Sequence, residues 1–151
     1  MTHTHTSSRR VSRGFTLIEL MATVSIAGVL SSVALPSFER QLQKARRTDA
    51  VIAAVQVQAA QERYRSNAPS YAALSALGLA AKSTAGHYTL QVDAVSADGY
   101  ELLAVATGAQ ARDAGCRYMK LASSGLNATY SSGPDATLAN APDANRRCWS
   151  L

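Results

Sequence analysis

The sequence predicts an α+β fold in which one long N-terminal helix packs on a small antiparallel sheet, and three observations favour this class. An apolar run at residues 15–35 is followed by apolar residues at helical spacing as far as residue 66. Two segments between residues 88 and 107 have the apolar patterns of strands. Residues 131–147 are rich in Gly, Pro, Asp and Asn, which predicts a loop. A chain of 151 residues suffices for one domain with one modest core.

The basic charge of the chain is partly concentrated at its N-terminus. The chain has 15 Lys and Arg against 10 Asp and Glu, a formal charge of +5. Residues 1–14 contain Arg9, Arg10 and Arg13 and no acidic residue. The excess therefore belongs in part to this leader and does not by itself indicate nucleic-acid binding. Two cysteines exclude a disulfide-dense miniprotein and a four-cysteine zinc site.

The first predicted element is the apolar run at residues 15–35, which is 21 residues long and carries one charge, Glu19. As a helix it could cross a hydrocarbon core of about 30 Å. The preceding arginines favour a cytoplasmic N-terminus and a translocated C-terminal side. Three interpretations are open: a plain anchor, a secretory signal cut near Ala34, or a leader that ends at Gly14 and leaves the run in the mature chain.

Glu19 favours the third interpretation. A carboxylate in the middle of a membrane costs roughly 2.5–3.5 kcal/mol, and neither a plain anchor nor a discarded signal has a use for it. The run also exceeds the apolar segment of about 7–15 residues that is usual in signal peptides. After cleavage behind Gly14, Phe15 would carry a free amine. Once buried, that amine needs an anion, and Glu19 of a neighbouring copy is suitable.

The helical pattern continues beyond Pro36, whose ring and missing N–H predict a kink or local melting of the helix. The predicted core-facing stripe consists of apolar residues spaced by threes, fours and one seven: Phe38, Leu42, Ala45, Ile52, Val55 and Ala59, joined by Val51. Residues 67–70 are expected to end the helix. The first half of the helix is apolar on all sides, so it suits a membrane before assembly and a helical bundle afterwards.

The remaining elements are predicted as strands. Residues 88–92 alternate at period two, residues 97–99 form a turn, and residues 100–107 form a second strand of an antiparallel hairpin. Residues 116–122 predict a third strand, and residues 126–130 a short fourth.

Residues 13–20, Arg-Gly-Phe-Thr-Leu-Ile-Glu-Leu, resemble the cleavage and methylation motif of type IV pilins and related prepilins. The resemblance implies that a prepilin peptidase cleaves between Gly14 and Phe15 and that Phe15 is then N-methylated. It implies that Glu19 serves methylation and subunit docking during assembly. Pro36 falls where pilins carry a helix-bending proline.

The same resemblance implies the organisation of the chain: a cleaved basic leader (1–14), a long helix (15–67) and a globular pilin head (68–151). Residues 46–50 and 61–64 also resemble PilE-like pilins and minor pilins. The implied function is that of a pilin or minor pilin in a type IV pilus used for adhesion, motility or DNA uptake. Its partners would be other pilin subunits, the prepilin peptidase and the inner-membrane assembly machinery. It would begin as a single-pass inner-membrane prepilin, contacting membrane lipid, and end in an extracellular filament.

Cys116 and Cys148 are expected to form a disulfide if the C-terminal side is translocated into an oxidising space, and two free thiols are the alternative. A bridge would contribute about 3–4 kcal/mol in the loop-entropy model. The arrangement resembles the disulfide-closed C-terminal loop of type IV pilins. Trp149 is expected to pack beside the bridge.

The sequence contains no recognisable catalytic motif, so we expect no enzyme and no cofactor. His87 is a lone histidine and is expected to be structural or exposed. Asp113, Asp135 and Asp143 match no calcium-loop spacing, so no metal is expected.

Five basic residues form a candidate DNA site. A bridge between the cysteines would draw Arg117 and Lys120 toward Arg146 and Arg147, with Arg112 close in sequence. Such a cluster could bind a phosphate backbone, as in a DNA-binding minor pilin that acts as a competence receptor. A solvated rim is the competing interpretation. A type II secretion pseudopilin is a further alternative, against which the two cysteines argue.

Overall fold

The computed structural model describes residues 14–150, so the predicted leader lies almost wholly outside the described residues. In chain order the elements are α1 (Leu17–Arg65), β1 (Tyr88–Asp93), β2 (Gly99–Ala106), two 3-10 helices (Gly108–Arg112 and Ala114–Cys116), β3 (Tyr118–Ser124), β4 (Asn127–Gly133) and α2 (Pro142–Trp149). The strands form one antiparallel sheet in the order β1-β2-β3-β4. The predicted α+β class is confirmed.

The chain divides into two compact units, residues 1–38 and 39–151. In the first, every described residue is exposed, and 12 of the 25 residues from 14 to 38 have large apolar side chains. The helical assignment of α1 runs through Pro36 without interruption, so the predicted local melting does not occur. A kink at Pro36 remains a prediction.

The second unit holds the core, which lies between one face of the sheet and the second half of α1. Burial alternates along β1, where one residue in two is buried, as expected for a strand with one face on the core. The strand register aligns core residues across the sheet: Leu90 pairs with Ala104, Leu102 with Leu121, and Leu121 with Tyr130. These side chains meet α1 on a single face.

The face that α1 turns to the core is not the predicted one. Ile52 and Val55 are 48% and 58% exposed, and Phe38, Leu42, Ala45 and Ala59 are exposed as well. The buried positions instead follow a mainly alanine stripe at helical spacing: Asp49, Ala50, Ala53, Ala54, Val57, Ala60 and Gln61. Small residues let the helix approach the sheet, whose own large side chains fill the space. Only Val51 of the predicted stripe packs partly against the core.

The segment predicted as a loop, residues 131–147, is partly regular. Strand β4 continues to Gly133, and α2 begins at Pro142. Proline is favoured as the first residue of a helix, because the N–H that it lacks would have no partner within the helix at that position. Helix α2 ends at Trp149, and the next residue, Ser150, adopts the left-handed conformation that commonly terminates a helix. The predicted third strand begins two residues later than expected, because Cys116 belongs to the second 3-10 helix.

The Cys116–Cys148 disulfide is confirmed and joins the second 3-10 helix to α2. Trp149, 2% exposed, donates its indole N–H to the Ser131 carbonyl (3.0 Å) and packs edge-on against Tyr130. Asn145 accepts a hydrogen bond from the Ser132 hydroxyl (2.7 Å). The bridge and these contacts together fasten α2 to the end of the sheet.

Candidate functional site

The described part of the N-terminal motif, residues 14–20, leads into the first turn of α1, which begins at Leu17. The Thr16 hydroxyl accepts a hydrogen bond from the Glu19 amide (3.3 Å), so it caps the first turn. The spacing from Thr16 to Glu19 is that of a capping box, and an acid in the first turn also complements the helix dipole. Gly14, Phe15 and Glu19 are all exposed and available to other molecules. The capping role of Thr16 was readable in the sequence but was missed.

Three hydroxyls further along the described part of the apolar run are satisfied within the helix. The hydroxyls of Thr23, Ser25 and Ser32 each donate to a carbonyl of the preceding turn, at 2.7–2.8 Å. Such bonds satisfy hydroxyls inside an apolar medium. Helix α1 is long and apolar enough over part of its length to cross a bilayer. Within this apolar segment, residues 15–35, Glu19 is the single charged side chain.

A buried polar network fixes α1 to the first 3-10 helix. Arg47 donates to both carboxylate oxygens of Asp113, at 2.6 and 2.9 Å. The Nε2 of fully buried Gln110 lies 3.1–3.2 Å from the Gln43 carbonyl, the Tyr88 hydroxyl and Asp113, and these three acceptors share its two N–H donors. Burial raises the pKa of Tyr88 to about 12, which keeps its hydroxyl neutral within this network.

Two clefts are lined by residues 39–47 of α1. One is a cleft of about 560 Å³ lined mostly by cations of α1 and α2: Lys44, Arg47, Arg146 and Arg147, with Asp143 and Ser150. The other is lined by Glu39, Leu42, Gln43, Arg46, Ala109 and Arg112. Lys44, Arg46 and Arg47 were not part of the predicted cluster. Only the folded structure shows that these three residues line clefts together with Arg112, Arg146 and Arg147.

The predicted five-residue cluster is assembled only in part. Arg146 and Arg147 share a cleft, and Arg112 lines the second one. Lys120 lies on the face of β3 opposite the core and pairs with Glu101 across the sheet at 3.2 Å. Arg117 donates to the Ala111 carbonyl (2.9 Å). Strand alternation, not the disulfide, decides the face on which Lys120 lies.

The acidic residues are engaged separately. Asp113 binds Arg47, Asp143 pairs with Arg146, and Asp135 accepts from both the amide and the hydroxyl of Thr137. The hydrogen bonds to Thr137 lower the pKa of Asp135. Among residues 14–150 there is no group of three or more acidic, His or Cys side chains that could hold a metal. His87 is half-buried, and its amide donates to Asp49 (3.1 Å).

A capped apolar N-terminal helix, a four-stranded antiparallel sheet and a disulfide-fastened C-terminus together define a filament subunit of the type IV pilin class. Comparison with known families agrees on both parts of the chain. Residues 9–35 match the prokaryotic N-terminal methylation motif. Residues 36–120 match the family described as type IV minor pilin ComP, DNA uptake sequence receptor. The chain belongs to this family of type IV pilins.

Individual relatives carry pilus names as well. The type IV wide pilus major component PilA4 of Thermus thermophilus is 35% identical over 105 residues, which is 66% of this chain and 77% of that protein. Fimbrial protein EcpC of Eikenella corrodens is 35% identical over 66% of this chain and 64% of its own length. Prepilin peptidase-dependent protein D of Escherichia coli is 49% identical, but over 37 residues that make up a quarter of its length.

Proposed function

We propose that this chain is a minor pilin, a subunit that is processed by prepilin peptidase and assembled with other pilins into a type IV pilus. The observation that carries the proposal is the N-terminal motif at residues 13–20, placed at the start of a helix whose first part is wholly exposed and apolar. An exposed apolar face of this extent is incompatible with a free monomer in water. The matches to pilin families and to named pilus proteins support the same function.

The proposed mechanism is assembly, not catalysis. The prepilin waits in the inner membrane with its N-terminus in the cytoplasm. Cleavage between Gly14 and Phe15 creates a new α-amine, which is methylated, and the assembly machinery moves the subunit from lipid into a bundle of like helices. Apolar surface is buried in lipid before this move and in the helical bundle after it. The free energy of burial therefore does little to drive the subunit from one to the other. Glu19 supplies specificity, because an amine and a carboxylate buried together are stabilised only as a pair.

Replacement of Glu19 tests the assembly proposal. Glu19→Val removes the charge and leaves the apolar surface, so we expect the processed subunit to stay in the membrane and to be lost from sheared surface filaments. Mass spectrometry of those filaments measures the amount of the chain, its first residue and its methylation. Exposed Glu62→Val, which lies in the same helix beyond the apolar run, is the matched control. Normal incorporation of the Glu19 variant would refute the proposed role of Glu19, and filaments wholly devoid of the wild-type chain would refute the function.

A second function, DNA binding by the head, is favoured by the cationic cleft and by the match to a family described as a DNA uptake sequence receptor. Four cations border the cleft against one acid, Asp143, which is already paired with Arg146. Clustered Lys and Arg bind phosphate backbones with release of counterions. Arg146 and Arg147 are exposed and are the proposed contacts, together with Arg112 on the neighbouring cleft.

Gel shifts test this second function. The second unit contains the whole core and the disulfide, so residues 39–151 can be used alone. We expect Arg146→Glu/Arg147→Glu to weaken duplex binding at least about tenfold and to reduce the salt slope by about two. The control variant, Arg63→Glu/Lys82→Glu, carries the same charge change at exposed sites away from the cleft. Equal loss in both variants, or no salt-sensitive binding by the wild type, would end the DNA proposal.

A further inference from the structure

The flank that directly follows the apolar run is basic, on the side of the membrane where basic residues are usually scarce. Arg40, Lys44, Arg46 and Arg47 lie within twelve residues of Leu35, against a single acid, Glu39. Lys and Arg close to a membrane span favour the cytoplasmic side, so these four oppose the topology that the leader dictates. A cluster that opposes insertion needs a compensating partner on the translocated side.

The fold enlarges this basic flank. The two clefts beside α1 bring three cations from distant parts of the chain to it, Arg146 and Arg147 on one side and Arg112 on the other. We name as the basic collar the seven residues Arg40, Lys44, Arg46, Arg47, Arg112, Arg146 and Arg147. The collar contains seven of the 12 basic residues that follow Gly14. Only three of the 10 acids pair with a collar residue or line a cleft with one: Glu39, Asp113 and Asp143. The rest of the chain after Gly14 is net negative.

The ion pairs of the described residues leave most of this charge free. Arg47 is held by Asp113, and Arg146 pairs with Asp143 on the surface. Within residues 14–150, Arg40, Lys44, Arg46, Arg112 and Arg147 form no salt bridge with an acidic side chain. Lys44 of α1 and Arg147 of α2 line the same cleft. An anion that enters this cleft is met from two elements at once.

Distance along α1 selects the anion. Arg40 and Lys44 follow Leu35 by only five and nine residues, which corresponds to a rise of about 7.5 and 13.5 Å for helical chain. The headgroup layer extends roughly 5–8 Å beyond the hydrocarbon on each side, and charges interact over a further Debye length of about 8 Å. While residues 15–35 remain in the bilayer, lipid headgroups are therefore the first anions within reach of the collar.

We propose that the basic collar binds anionic phospholipid headgroups in the leaflet on the translocated side while the subunit is held in the membrane. The inference rests on the proposed function, because it requires residues 15–35 to lie in a bilayer. Binding compensates the cations that oppose insertion and holds the head at the membrane surface. Extraction into the filament then has to break these contacts, which leaves the collar free for other anions.

The test uses the full chain after removal of the leader, reconstituted into phosphatidylcholine vesicles that contain phosphatidylglycerol. Electron spin resonance with spin-labelled lipids measures how strongly each lipid associates with the protein. We expect spin-labelled phosphatidylglycerol to associate severalfold more strongly than phosphatidylcholine at low salt, and this ratio to fall toward one at high salt. The variant Lys44→Glu/Arg147→Glu should lower the ratio to about one.

Two further variants keep the test decisive. Arg63→Glu/Lys82→Glu carries the same charge change outside the collar and should retain the preference for phosphatidylglycerol. Lys44→Gln/Arg147→Gln removes charge without reversing it and should reduce the preference in part, which guards against loss of fold in the reversed variant. Equal association of both lipids with the wild type, or equal loss in the Arg63/Lys82 variant, would overturn the proposal. The proposal would also be overturned if Lys44→Glu/Arg147→Glu lost DNA binding while the wild type showed no preference between the two lipids, since the collar would then bind DNA and not lipid.

Failure of the proposed function can be told apart from failure of this inference. Mass spectrometry of surface filaments reports whether the chain is assembled, and the vesicle measurement does not depend on assembly. A chain present in filaments but without lipid preference overturns the inference alone. A lipid preference that the collar variant abolishes supports the inference even where the chain is absent from filaments.

Discussion

The buried carboxylate of Asp49 shows how one residue of α1 fixes a loop. It accepts hydrogen bonds from the Ser83 hydroxyl (2.5 Å) and from the amides of Ala85 (3.0 Å) and His87 (3.1 Å). Burial alone would raise the pKa of Asp49, but the hydrogen bonds outweigh it, and the pKa is lowered. The ionised form is thus the one that holds the loop before β1 to the helix.

The lowered pKa of Asp49 gives a pH dependence with a definite sign. A carboxyl whose folded pKa lies below its unfolded value stabilises the fold above the unfolded pKa, about 3.9, and loses that contribution as pH falls through the folded pKa. The free energy of unfolding should therefore fall more steeply below about pH 4 in the wild type than in Asp49→Asn. Urea unfolding of residues 39–151 at a series of pH values measures this.

The control for the loss of a carboxylate is exposed Asp98→Asn, which should change the free energy of unfolding at neutral pH by less than about 0.5 kcal/mol. Asp49→Asn should itself destabilise the fold at neutral pH, since an amide cannot accept all three hydrogen bonds. Parallel pH profiles for the wild type and Asp49→Asn would contradict the assignment.

Single residues also decide the contribution of ion pairs to stability. The Arg47–Asp113 pair can be compared with the Lys120–Glu101 pair, which is more exposed. Asp113 is 4% exposed, whereas Lys120 and Glu101 form a pair at the surface of the sheet. We expect Arg47→Met to cost about 3 kcal/mol, because it leaves a buried charge without its partner. Lys120→Met should cost less than about 1 kcal/mol. Chemical denaturation measures both, and similar losses would contradict the role given to burial.

At the scale of elements, α1 shows what apolar periodicity can and cannot predict. The spacing of Ile52 and Val55 correctly indicated a helix, and the sequence correctly predicted its length to within about two residues at each end. It did not identify the core face, because alanines at positions 50, 53, 54 and 60 form a second stripe with the same period. The larger side chains face outward since the sheet supplies the bulk of the core, a fact outside the helix's own sequence.

Opposite faces of α1 should therefore respond differently to added volume. Ala54 is 2% exposed and Val55 58% exposed, although they are neighbours. Ala54→Leu should cost about 1–3 kcal/mol by overpacking, whereas Val55→Leu should change stability by less than about 0.5 kcal/mol. Thermal unfolding of both variants measures this. A larger loss of stability in Val55→Leu than in Ala54→Leu would contradict this assignment and support the core-facing stripe that the sequence predicted.

Helix α2 was missed for a different reason. Its eight residues include Pro142, Asp143 and Asn145, which favour loops when they are counted by composition. Position matters more here, because Pro at the first helical residue and an acid in the first turn both start helices. A helix this short has little stability of its own, so its contacts with the sheet and the Cys116–Cys148 bridge must hold it.

Removal of the bridge should therefore release α2. We expect Cys116→Ser/Cys148→Ser to cost about 3–4 kcal/mol in the loop-entropy model. Trp149 lies one residue from Cys148 and is buried, so its fluorescence emission should shift to the red at temperatures below the main unfolding transition. Reductant should reproduce both effects in the wild type and have none on the double variant. An unchanged emission maximum in the variant would show that packing alone holds α2.

At the scale of the whole molecule, the sequence predicted the class of protein better than the site. The motif around Gly14 and Glu19 and the two cysteines are local signals, so they could be read directly. The basic collar could not, because Arg112, Arg146 and Arg147 approach α1 only through the disulfide and the network around Gln110. The position of Lys120 in the chain likewise does not reveal the face of the sheet on which it lies.

The division into two units makes the last prediction. Every buried core residue lies between Ala50 and Trp149, and residues 14–38 bury no side chain. A chain that begins at residue 39 should therefore fold as a soluble, disulfide-bonded monomer, because it loses only apolar surface that water disfavours. A chain that begins at Ala50 should be several kcal/mol less stable, since it also loses the buried partners supplied by Arg47 and Asp49. Gel filtration and thermal unfolding measure both, and aggregation of the first chain would show that the head needs the apolar segment to fold.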